Sequence, residues 1–241
     1  MNDDEWLNGT DPFALLGTRY EVHTHGSVEP QDRLSRTYAV ACARRPAVWG
    51  RLPAVSRVLV DLAEEFVDAR GSGRAREAVG QIALRLMNGD GEDEDLTEAA
   101  ANLNRFLAAA GRPVRDLSAR PDVPADSDEW RGLAALVYLP FDAHTPNFRW
   151  VPREYHSADL VREVFGYPHR RIRFDPQWRT TTVLTLARGI YDRSEFASLP
   201  ILADALQDTG CAEEDILAHC RDPNRVHVRG CWVLRMVLNL R

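Results

Sequence analysis

The chain contains no lysine, so all thirty of its basic residues are arginine. That removes every mechanism built on a Schiff-base lysine, a phosphate-loop lysine or a lysine general base. Arginine stays protonated and takes none of those roles. The sequence also holds no HExxH, no GxSxG, no phosphate loop and no dinucleotide fingerprint. Gly71-Ser72-Gly73 fails the last of these, because Arg76 stands where the third glycine belongs and no strand pattern precedes it. No apolar run approaches the roughly 20 residues that span a bilayer. The start, Met1-Asn2-Asp3-Asp4-Glu5, lacks the basic and apolar regions of a secretory signal. Four cysteines in 241 residues are too few for a disulfide framework. The expectation is a cytoplasmic chain, not bound to membrane, whose cysteines are free thiols or metal ligands. A net charge of −6 argues against generic nucleic-acid binding, which needs a basic footprint.

What is present has the apolar (44%) and charged (27%) fractions of a soluble globular protein, with length enough to bury a core without staples. Helix signals dominate. Thr10-Asp11-Pro12 sets a cap, and 34–45 reads helical up to Pro46. Val55, Val58, Leu59, Leu62, Ala63 and Phe66 recur at the three-and-four spacing of one buried face. Arg74 to Met87 is a further helix, and Asp95-Leu96-Thr97-Glu98 is a capping box opening the next, to Ala110. The acidic run 90–95 lacks the ligand order of a calcium loop. Helices are expected over 128–139, from Ser157 to Phe165, and over 180–191, 195–206, 212–221 and 226–240. Arg171-Ile172-Arg173-Phe174 alternates like a short strand, and two other fragments alternate, Tyr20 to His25 among them, too few to build a sheet core. The expected fold is therefore mainly α, a multi-helix globular protein with long irregular loops and at most a few short strands. Residues 112–128, rich in Pro, Asp and Ser, are the natural loop or linker between a helical region 1–111 and a C-terminal helical module 129–241, with one compact domain overall as the alternative.

Three constellations carry chemistry. Cys211, His219, His227 and Cys231 lie within one short window. On a helix His227 and Cys231, four apart, would share a face and form half of a zinc site, with Cys211 and His219 completing it. Against this, Val226, Val228, Cys231, Val233, Leu234, Val237 and Leu238 would cover nearly the whole circumference of that helix. A helix of that kind is buried, and free cysteine packs there as a small hydrophobe. Packing is the preferred reading and a metal ion the alternative; a cysteine–histidine nucleophile fits less well, since Cys231 beside Trp232 lacks a polar setting and two glutamates follow Cys211. The second constellation interleaves Arg149, Arg153, Arg162, Arg170, Arg171, Arg173 and Arg179 with aromatics. Arg170, Arg171 and Arg173 are its candidate anion contacts, set against the plainer reading of arginines covering a loop. The third, His23 and His25, reads as exposed turn residues.

The segments Leu160–Gly166, Phe174-Asp175-Pro176-Gln177-Trp178, Ala187–Tyr191, Leu199–Leu206 and His227–Trp232 together resemble a large paralogous family of uncharacterised proteins abundant in planctomycete bacteria. Glu5-Trp6-Leu7 and Tyr38–Cys42 look like its front end. Members commonly carry a second cysteine where this chain has Ala43, and an acid near Arg235. The resemblance implies a recurrent unit over 157–234 and a lineage, not a function. With no catalytic signature, no lysine and a terminal cluster better explained by packing, the expected function is a non-catalytic interaction or scaffold role with another protein as partner and no cofactor. The alternative is a zinc-binding module or metal-dependent enzyme using the Cys/His cluster.

Overall fold

The computed structural model describes residues 2–23, 28–68, 73–88, 93–117, 127–141, 148, 151–168 and 172–240. Among these the regular structure is entirely helical. In chain order the helices are α1 (Asp3–Asn8), α2 (Pro12–His23), α3 (Val28–Ala43), α4 (Pro46–Trp49), α5 (Ala54–Asp68), α6 (Gly73–Asn88), α7 (Asp93–Ala109), α8 (Asp128–Tyr138), α9 (Ala158–Phe165), α10 (Thr181–Arg193), α11 (Leu199–Asp208), α12 (Glu214–Arg221) and α13 (Trp232–Leu238). No described helix is long and apolar enough to cross a membrane. The mainly α expectation holds. The allowance for at most a few short strands is also met, with none among the described residues: Tyr20–His23 belongs to α2, and 172–175 has no regular structure. His25, Arg170 and Arg171 lie outside the described residues.

The chain divides into two compact units, one made of Met1–Pro30 with Ser157–Arg241 and the other of Gln31–His156. This differs from a division at 112–128. The first helices serve the C-terminal unit because α2 packs on α9, and because Arg162 of α9 reaches the carbonyls of Trp6 and Gly9. The long middle segment folds upon itself: α6 packs against both α7 and α8.

In the Gln31–His156 unit, α8 buries Trp130, Leu133, Ala134, Leu136 and Val137. Gly132 lets it come so close to Pro152 that a Cβ there would lie 2.3 Å from the proline ring. In the other unit, Val183, Ala187, Ile190 and Tyr191 of α10 and Leu199, Leu202, Ala203 and Leu206 of α11 recur at helical spacing around one core. Ile216, Leu217 and Cys220 of α12 and Val233, Leu234 and Val237 of α13 complete it. Capping follows the sequence: Ser157 and Thr180 accept the amides of Leu160 and Val183 at the starts of α9 and α10.

The helix ends show what the arginines do. A helix leaves its last four carbonyls without intrahelical partners, at the negative end of its dipole. Arg179 donates from Nε to Val237 O and from Nη2 to Met236 O, both at 2.9 Å, at the end of α13. Arg235 donates to Val164 O near the end of α9 at 2.6 Å and to Gly230 O at 3.2 Å. Arg57 bridges the carbonyls of Trp49 and Gly50, and Arg45 those of Glu154 and His156. One guanidinium therefore spans two carbonyls in each case, a task that suits its planar fork better than an ammonium.

Candidate metal centre

Helix α9 buries Leu160, Val161, Val164 and Phe165, and in the same stripe it buries Glu163, with no exposed surface. A carboxylate on the apolar face of an amphipathic helix calls for a compensating group. Helix α12 turns Ile216, Leu217, Cys220 and His219 inward, leaving His219 1% exposed. After α12 the chain runs without regular structure through His227, then makes a turn from Val228 to Cys231, whose amide donates to Val228 O at 2.9 Å. Cys231 is the residue before α13, fully buried.

Expecting one helix from Val226 onward was therefore incorrect, and His227 and Cys231 do not share a helical face. Glu163 supplies the reason. Its Oε1 lies 3.1 Å from His227 Nδ1 and accepts the Val228 amide at 3.4 Å, which holds this segment out of the helix.

The ligating atoms of Glu163, His219, His227 and Cys231 all lie within 4.8 Å of one another. His219 Nε2 is 3.2 Å from Cys231 Sγ and 3.3 Å from Glu163 Oε2. A tetrahedron with zinc-like bonds has edges of roughly 3.4 Å. The close pairs already have that separation, and the widest must shorten by about 1.4 Å. The four donors are one carboxylate, two imidazoles and one thiol, a set suited to a borderline-soft ion. Three of the four residues anticipated from the sequence meet here. The fourth, Cys211, does not belong to the group: it packs in the core around α10 and α11, and Glu163 stands in its place. The signal that could have found Glu163 is its position, an acid three residues after Leu160 and one before Val164 on the buried stripe.

Protonation in this pocket is constrained. Burial first, then the nearby Arg225 and His227, hold His219 well below the ordinary histidine range, so it is neutral at neutral pH. Trp232 donates its indole N–H to His219 Nδ1 at 3.0 Å. The neutral ring must then carry its proton on Nε2, directed at Cys231 Sγ. Glu163 Oε2, although close to the same nitrogen, is buried without a hydrogen-bond partner, because distance is met and alignment is not. Burial and the Glu163 carboxylate push the Cys231 thiol far up. Burial also raises the thiols of Cys211 and of Cys220, the latter to about 12. None of the three has the lowered pKa and access that a nucleophile needs.

The second constellation resolves differently. Arg162 and Arg179 are occupied with backbone carbonyls, and Arg179 also lies 4.6 Å over Phe174, which meets Trp178 edge to face. Of the candidate anion contacts only Arg173 is described, and it is exposed. The side chain of His23 lies outside the description.

No family model, curated protein or solved structure matches this chain.

Proposed function

We propose that the chain is a non-catalytic helical module whose C-terminal unit is closed by one zinc-class ion on Glu163, His219, His227 and Cys231. The observation that carries this reading is the buried, unpartnered Oε2 of Glu163, at the point where a thiol and two imidazoles converge. A buried carboxylate with one of its two oxygens left unsatisfied is costly, and a dication would remove the cost. With Glu163 and Cys231 both anionic, a dication leaves the cluster neutral. Four protein donors leave no open position, and the residues around them leave almost no exposed surface, which is the pattern of a structural ion rather than a catalytic one. An ion there would tie α9, α12 and the segment ahead of α13 together. The module acts through its surface, with another protein as the partner.

Protein purified without chelators should carry one equivalent of zinc, and a chelator should lower its Tm, because the free energy of a structural ion is folding free energy. Cobalt(II) in its place should give the visible bands of a tetrahedral thiolate site. Glu163→Gln and Cys231→Ser should each weaken zinc binding roughly a hundredfold. A folded protein that takes up no zinc and ignores chelators would remove the proposal.

A further inference from the structure

The hydrogen bond from Trp232 to His219 conflicts with the ion. A histidine that ligates a metal through one ring nitrogen keeps its proton on the other and donates it to a neighbouring acceptor. Here the second nitrogen, Nδ1, already accepts the Trp232 indole N–H at 3.0 Å. An indole N–H only donates, so it cannot face a protonated Nδ1. We infer that Trp232 is an ion-responsive latch: its bond to His219 and coordination through His219 Nε2 exclude one another, so loading the ion frees the indole.

This rests on the metal reading above and adds a conformational consequence to it. The proton balance is simple. The Nε2 proton of His219 is exchanged for one on Nδ1, the Cys231 thiol gives up its proton to solvent as the thiolate binds, and the indole N–H loses its acceptor. Trp232 is the first residue of α13, and its ring meets His219 (4.9 Å between centroids) and Tyr167 (5.6 Å), both edge to face. It also packs on Gly166, where a Cβ would lie 3.1 Å from the indole. A shift of this ring therefore reaches the turn that ends α9, and the state of the ion is relayed from the cluster to the seam between α9 and α13.

The test is zinc titration of the whole chain, wild type and Trp232→Phe, followed by imidazole and indole nitrogen NMR. In the metal-free wild type His219 should show its proton on Nε2, as buried His156 also does, and zinc should move only the His219 proton to Nδ1 while shifting the Trp232 indole signal. Trp232→Phe keeps a ring but removes the competing N–H, so its zinc affinity should rise about tenfold, the worth of one hydrogen bond. If wild type binds zinc stoichiometrically while the tautomer, the indole signal and the Trp232→Phe affinity stay unchanged, the latch is wrong and the metal reading stands. If wild type binds no zinc, the metal reading falls and takes the latch with it.

Discussion

Single residues with burial out of keeping with their type explain most of what is unusual here. Glu163 is the clearest case, and His156 is its counterpart in the other unit. His156 is 5% exposed and sandwiched by hydrogen bonds: Nε2 lies 3.3 Å from Val151 O, and Nδ1 lies 3.2 Å from the Tyr38 hydroxyl. A carbonyl only accepts, so Nε2 carries a proton, and a ring kept neutral by burial leaves Nδ1 to accept from the Tyr38 hydroxyl. Burial holds its pKa below 6.5, with Arg153 and Arg45 adding to the effect against the backbone bonds that oppose it. The unfolded chain therefore binds the proton more readily than the folded one as pH falls through that region. This contribution to stability is complete above about pH 6.5 and is lost below it. Denaturation of wild type and His156→Gln across pH 5 to 8 should show wild type losing more stability on the acid side, and parallel curves would refute the assignment. Neither residue stood out in the sequence. A histidine or glutamate announces burial only relative to a helix register, and His156 sits in a short turn with no register to read.

At the scale of elements, the sequence was legible in several places where local chemistry decides. The apolar spacing of α5 and the cap of α9 were readable, because each depends on residues within a turn of one another, whereas the capping box read at Asp95 lies inside α7, which already begins at Asp93. The start of α13 was not readable. The pattern from Val226 onward is as apolar as a helix requires, yet a carboxylate more than sixty residues away captures the His227 ring and the Val228 amide. The carbonyl-spanning arginines were equally hidden, since Arg179 and Val237 are 58 residues apart. The absence of lysine becomes meaningful at this scale. Arg179→Lys preserves charge but can place only a point donor where two carbonyls at the end of α13 are now held by one plane. The substitution should cost about 1–2 kcal/mol in chemical denaturation, with the slope unchanged. Equal stability would mean that solvent satisfies those carbonyls as well as arginine does.

At the scale of the molecule, composition gave the helical class but not the division of the chain. A Pro- and Asp-rich stretch marks flexible composition, whereas a compact unit is defined by which apolar faces find each other, and α2 finds α9 across most of the sequence. That discontinuous arrangement gives the metal proposal a consequence confined to one set of segments. All four donors belong to the unit made of Met1–Pro30 and Ser157–Arg241. An ion bound there would displace the Cys231 thiol proton and offset the charge of Glu163, so its free energy would enter that unit's local unfolding equilibrium directly. Hydrogen exchange with and without zinc should show protection gained in α9, α12, α13 and the segment 222–231. The amides of α5 to α8 should exchange at the same rate in both states. The 222–231 segment should respond most, because two of its contacts with α9 converge on a single carboxylate oxygen of Glu163, and an ion would add coordinate bonds through His227 and Cys231. Uniform protection across both units would instead mean that zinc acts on global unfolding, and that the cluster is not the local closure inferred from its geometry.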